Sequence, residues 1–534
     1  MTSSSSGTDQ PEYRPEYEGP PRPSEAPPRQ IFPHEVFPAT VYLPPPPQPP
    51  ASGTRTKKII AGAAVLAVLA GGAVAAYAYT TLASHGIQPE RVLPATTVAF
   101  AKLDLDPAAS QKIAAYRLSS KFPAVSKGAP NIDAEKNALL SKFFGDQSDF
   151  DYATEIKPWL GDRIAVAAVP DAASEAGLDP VLAVAYTNEA KMKAALSKAA
   201  RTQKDLGYVT TEGYVLISDS QSHAEAVLAG VKRGTLAGVK NYRADLAALR
   251  GDQIAVGWAD MSAAVAALKA ASGPAASDRL GSLQGLNALA GTEARIIIGA
   301  HANSDYLEIS AVSHDGGAGS RVGRKPVNGT LAKLAAEDTS AALEVTGLGD
   351  ALSQAWNSAS ATLGLQEQFE ELIEEAGLQL PEDLKALFGT DATVSLRLPH
   401  GASAEPEIAA QVATDDANRA GQLLDSLAQP FGFLTEDLHP QITGDGYLVS
   451  TSPGYDPRAR PGARTLGDDP AFQKAVPDSA GASMIAYVNF GGILDSDPGA
   501  SAKDKADWKH LGAFGMSVVP TSDGTRMTMR LTTR

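Results

Sequence analysis

Apolar and polar positions alternate with a period of two in short runs along most of this chain. In residues 98–105 (VAFAKLDL), Val98, Phe100, Lys102 and Asp104 fall on one side and Ala99, Ala101, Leu103 and Leu105 on the other, which predicts a strand. Asp106 and Pro107 then open a helix to about Leu118, as cap and first-turn proline. Further strands are predicted at 163–170 (RIAVAAVP), 180–186 and 254–260. Residues 208–218 predict a hairpin turning at Glu212-Gly213, and 295–301 with 306–312 a second around Asn303-Ser304-Asp305. Helical spacing predicts helices at 133–144, at EAKMKAALSKAA behind an Asn188 cap, near 221–230 and 241–249, and from Asp260 to about Ala271. The glycine-rich stretch 314–329 predicts a flexible linker.

Beyond it the pattern recurs. SAALEVT (340–346) answers 97–104, and LFGTDATV (387–394) answers 159–166. PEIAAQV (406–412) answers 180–186, with Asp415 capping the next helix as Asn188 did. Residues 446–450 answer 213–217, and 486–489 answer 257–260. A last hairpin is predicted at 512–519 and 525–533. For most pairs the displacement is 228 to 233 residues and the order is kept. This predicts a duplication, with a period too long for a solenoid. The fold class is α+β: two tandem pseudo-repeats of mostly antiparallel sheet with helices packed on one face. The units are placed at 88–315 and 330–534, with the linker at 316–329.

One run breaks the alternation. Residues 59–82 (IIAGAAVLAVLAGGAVAAYAYTTL) hold 24 positions without a charge. As a helix they span about 36 Å, enough for a hydrocarbon core of about 30 Å. Arg55, Lys57 and Lys58 abut one end, and only Arg91 lies near the other, beside Glu90. The positive-inside rule keeps the N-terminus cytoplasmic and sends the bulk outside, with Tyr77 and Tyr79 at the outer interface. A buried core helix and a cleaved signal peptide are the alternatives, the latter served by small residues at 73–78. The 58-residue leader and the length of the run favour a retained transmembrane helix. Ala63, Ala67, Gly71 and Ala75 form a small-residue stripe that suits helix pairing, though so Ala-rich a segment yields one by chance. Residues 1–54 are too rich in proline for sheet or stable helix and predict a disordered cytoplasmic tail. Tyr13, Tyr17 and Tyr42 would contact a partner that reads polyproline II; a plain spacer is the simpler account.

Composition narrows the function. A net charge of −15 argues against nucleic acid and against anionic lipid or wall polymer. The absence of cysteine excludes disulfides, thiol catalysis and cysteine metal sites. An exported chain without disulfides suits a bacterium. No G-x-S-x-G, S-x-x-K, HExxH or P-loop occurs. The eight histidines (34, 85, 223, 301, 314, 400, 439, 510) show no metal spacing on a helix face. Asp104 and Asp106 could take a hard cation, but a strand end and a helix cap explain them. Asp495-Ser496-Asp497-Pro498-Gly499 starts like a calcium loop, yet its twelfth position is Ala506 instead of Glu. Residues 366–377 (QEQFEELIEEAG) predict an amphipathic helix with a solvated acidic face, and 455–466 a mobile loop. Leu93-Pro94-Ala95-Thr96-Thr97 lacks the glycine of a sortase signal and more simply opens the first strand.

LPATTVAFAKLDLDPAASQKIAAYRLSSKFP (93–123), behind a Pro-rich tail and an Ala-rich anchor, resembles the bacterial membrane-anchored proteins with the domain of unknown function 3352. The resemblance covers about 88–534. It implies an exported, tethered domain and no assigned activity, cofactor or catalytic residue. The expectation is therefore a single-pass membrane protein with an extracytoplasmic, non-catalytic binding or scaffolding domain, with no catalytic, cofactor or metal residue. Its partners would be the membrane, an envelope or membrane protein, and a cytoplasmic reader of the tail. A tethered sensor of an envelope ligand and a hydrolase with dispersed carboxylates are the alternatives.

Overall fold

The computed structural model describes residues 86–534 apart from 106–108, 123–150, 172–173, 175–176, 203–205, 273–293, 315–324, 364–376, 399–404, 429–439, 453–454 and 497–500. The chain divides into Met1–Ser52 and Gly53–Arg534, and every described residue lies in the second unit. Residues 1–54 and 59–82, the helix at 133–144, the cap at Asp106, and the acidic helix at 366–376 lie outside the described residues. Among the described residues no helix is long and apolar enough to cross a membrane.

The first half contains β1 (Ala99–Asp104), α1 (Ala109–Ser120), β2 (Leu160–Pro170), β3 (Leu178–Tyr186), α2 (Glu189–Thr202), β4 (Gly207–Thr211) and β5 (Tyr214–Ser218). It continues with α3 (Gln221–Arg233), α4 (Lys240–Ala248), β6 (Ala255–Asp260), α5 (Met261–Ser272), β7 (Arg295–Ala302) and β8 (Tyr306–His314). The second half contains β9 (Ala341–Thr346), α6 (Leu348–Leu363), α7 (Glu382–Phe388), β10 (Asp391–Arg397), β11 (Glu407–Ala413), α8 (Ala417–Ala428), β12 (Gln441–Thr443) and β13 (Gly446–Ser450). It closes with α9 (Pro470–Ala475), β14 (Met484–Val488), α10 (Phe490–Ser496), α11 (Ala502–Trp508), β15 (Leu511–Pro520) and β16 (Gly524–Thr533).

These strands form one 16-stranded sheet, ordered β12-β13-β11-β10-β9-β14-β15-β16-β8-β7-β6-β1-β2-β3-β5-β4. Every pairing is antiparallel. Read outward from the centre, the halves are β8-β7-β6-β1-β2-β3-β5-β4 and β16-β15-β14-β9-β10-β11-β13-β12. Each strand of the second half thus sits where the strand eight earlier sits in the first. The halves meet at β8 and β16, which pair from His314↔Gly524 to Tyr306↔Thr532 without a bulge.

Both faces of the sheet are covered, not the one face that the alternating runs predict. In β2, Ala165, Ala167 and Val169 join Val227 of α3 and Tyr242 of α4 in one cluster. Ile164 instead joins Met192 and Leu196 of α2 in another. The reason is in the sequence: VLAVAY is apolar on both sides, as a strand between two layers must be. The second half repeats this, with Phe472 of α9 on one face and Ala420 of α8 on the other.

Local signals act as capping physics requires, with one shift. Asn188 Oδ1 accepts the Lys191 amide at 3.0 Å, the expected cap of α2. For α8 the cap is Asp416, not Asp415: the Arg419 amide reaches Asp416 Oδ1 at 2.9 Å, because the third helical residue is the one a cap can reach. The linker's end is not free, since Val327 donates its amide to Ala482 O at 2.7 Å and Lys325 O accepts from Thr346 Oγ1 at 2.9 Å. Nor is 455–466 loose. The Ala335 amide bonds Pro457 O at 2.9 Å, the Ala459 amide bonds Lys333 O at 3.0 Å, and the Leu466 amide bonds Leu334 O at 2.8 Å.

At the seam, Glu308 of β8 is 2% exposed and receives Arg530 Nε of β16 at 2.7 Å and Ser310 Oγ at 2.7 Å. The Arg530 guanidinium also lies over the Tyr306 ring, 4.1 Å from its centre. Removing one partner of so buried a pair strands the other charge. Glu308→Ala should therefore lower stability by about 3 kcal/mol in chemical denaturation, and Glu308→Gln, which keeps the side chain's volume and one of the two acceptor oxygens, by less.

Candidate functional site

Each half seats a short 3-10 turn on the middle of its sheet, and polar side chains make that contact. In the first half the turn is Pro89–Arg91. Lys102, fourth residue of β1, reaches Glu90 Oε1 at 2.9 Å and Oε2 at 3.1 Å, and Gln88 Oε1 at 3.0 Å. Beside it, Asp104 takes Arg163 Nε of β2 at 3.2 Å and Gln88 Nε2 at 3.3 Å. Asp104 is thus engaged with an arginine and buried.

In the second half the turn is Leu331–Lys333. The fourth residue of β9 is Glu344, fully buried. Its Oε1 accepts the Thr330 amide at 2.8 Å and its Oε2 the Leu331 amide at 3.2 Å. Asp391 of β10, opposite Thr346 as Arg163 is opposite Asp104, accepts the Asn328 amide at 2.9 Å. Gly329 turns the chain between these amides with φ +76°. The charge plan is therefore inverted: cations on the sheet face an acidic turn in one half, and carboxylates on the sheet face bare amides in the other.

Burial, then the charge of Asp391, pushes the Glu344 carboxyl up to about 7. Asp391 is raised as well, first by burial, against the pull of the Asn328 amide. Two carboxyls in contact share a proton, an arrangement that acid–base enzymes also use. Here the exposures are 0% and 3%, and three oxygens already hold backbone amides. What the pair does is fasten a turn to a sheet. Sequence reading passed over both residues because neither stands in a motif; the only signal is a lone acidic residue inside an apolar strand.

A second group comes together near the other end of the sheet. Asp171, Asp179 and His223 place one ligand atom each within 4.8 Å of one another. Of the eight histidines only His223 joins such a group among the described residues. Asp495 is paired with Arg534, Oδ1 lying 2.9 Å from Nη2, Ser496 ends α10, and residues 497–499 of that calcium-like run fall outside the described residues.

Because folding favours the neutral acid at Glu344, the folded chain binds more protons than the unfolded chain between about pH 4.5 and 7, and stability falls as pH rises through that window. The fall should be about 3 kcal/mol, and Glu344→Gln should flatten it in denaturation curves taken across this range.

No curated protein matches this chain. Residues 59–210 match the model of the family described as Protein of unknown function (DUF3352), a stretch that runs from the uncharged segment to β4.

Proposed function

We propose that this chain is a single-pass membrane protein whose sheet-bearing unit lies outside the cell and serves as a non-catalytic binding or scaffolding domain. The observation that carries this reading is the 24-residue uncharged run at 59–82, flanked by Arg55, Lys57 and Lys58 on one side only. The buried ionisable groups support the second part. Glu90, Lys102, Asp104, Arg163, Glu344 and Asp391 are all engaged in holding turns and strands together. The matching strand order supports an origin by internal duplication, which here extends one sheet instead of enclosing a cleft between two domains.

Protease added to intact cells with permeable walls should digest the C-terminal bulk and spare the tail at 1–54. Survival of the bulk, or its recovery in the soluble cytoplasm, overturns the topology. Crosslinking in membranes should return a partner above a control holding residues 1–85 alone; its absence overturns the scaffolding role.

A further inference from the structure

The hairpin joining β2 to β3 brings two aspartates back to one place. Asp171 directly follows β2, and Asp179 is the second residue of β3. Above them α3 begins. Ser220 caps it by accepting the His223 amide at 3.1 Å, which fixes His223 in the first turn. Asp219, just before the cap, completes the group.

The imidazole is the centre of it. His223 Nδ1 lies 3.6 Å from Asp179 Oδ2 and 3.8 Å from Asp219 Oδ1. The same nitrogen contacts Ser218 Oγ. This is not a nucleophilic triad. A relay needs serine and carboxylate on opposite ring nitrogens, whereas here both face one, and Ser218 is 1% exposed. The His223 side chain is 5% exposed, and its Nε2 is buried with no hydrogen-bond partner among the described residues. Nδ1 is the ring nitrogen that faces the carboxylates.

Three carboxylates, those of Asp171, Asp179 and Asp219, gather at this one imidazole. Elsewhere buried carboxylates answer arginine or amides, as Asp104 and Glu344 do.

We propose that Asp171, Asp179 and His223 bind a divalent first-row metal ion, Zn2+ or Mn2+, with Asp219 beside them. Ligands about 2.1 Å from a tetrahedral ion lie about 3.4 Å apart, close to the 3.6 Å between His223 Nδ1 and Asp179 Oδ2. Imidazole with carboxylates suits these ions, whereas Ca2+ wants six to eight oxygens. On binding, the ion displaces the Ser218 hydroxyl from Nδ1 and ties the β2–β3 hairpin to α3. It thereby secures the outer strands β5 and β4.

The test uses the untagged full chain in detergent, stripped with EDTA and titrated with Zn2+, Mn2+ or Ca2+ in a calorimeter, with melting followed in parallel. One Zn2+ or Mn2+ per chain should bind and raise Tm, reversibly with EDTA. Asp179→Asn and His223→Gln should each weaken binding at least about 100-fold. In EDTA, Asp179→Asn should melt no lower than the parent, since it relieves like-charge crowding. That separates lost metal from lost fold. Binding and melting unchanged by both substitutions, no Zn2+ or Mn2+ effect on Tm, or a response to Ca2+ alone overturns the assignment.

Discussion

One strand pairing governs this molecule. Without the β8–β16 ladder, each half would present a long hydrogen-bonding edge at the centre of what is now a single sheet, and such an edge invites aggregation. With it, the open edges that remain are β12, of three residues, and β4, of five. Short edge strands are a recognised way of limiting edge-to-edge association. The seam is correspondingly well secured. Besides the Arg530–Glu308 pair, His314 Nδ1 contacts Asp523 of the last turn at 2.7 Å, and its Nε2 lies 3.0 Å from Asp245 Oδ1 of α4, so a helix of one half and a hairpin of the other meet at this ring. Arg250 and Asp478 pair across it at 2.8 Å.

Around that seam the halves repeat one packing scheme with different side chains. Tyr242 of α4 stands edge-on to Trp258 of β6, 5.6 Å between centroids, and Phe472 of α9 stands likewise to Tyr487 of β14 at 5.3 Å. Leu236 and Leu466, both buried, each donate an amide to a leucine carbonyl near the start of their half, Leu93 at 2.9 Å and Leu334 at 2.8 Å. Apolar contacts tolerate such substitution because shape and volume are what must be kept. Polar contacts are stricter. When Lys102 is answered by Glu344 at the same strand position, the turn above must change from offering a carboxylate to offering amides, and it does.

The sites follow the same division. Glu344 and Asp391 are remote in sequence and become neighbours only because β9 pairs with β10. Asp171, Asp179 and His223 meet because a hairpin folds back beneath a helix that starts more than forty residues later. No spacing rule for a helix face or a metal loop could have found either group, since such rules describe one element at a time.

The sequence by itself determined the strands, most turns and caps, the α+β class and the recurrence of elements, because side-chain alternation and capping are local and write themselves into neighbouring residues. The family resemblance was also legible there, in the LDLDP opening, and the match to 59–210 agrees with it. Only the tertiary structure decided that two runs of strands form one sheet, that both faces are covered, and that the stretches at 325–329 and 455–466 are pinned. Those outcomes depend on which edge finds which partner and on what closes over a buried charge, and both are settled between residues far apart along the chain.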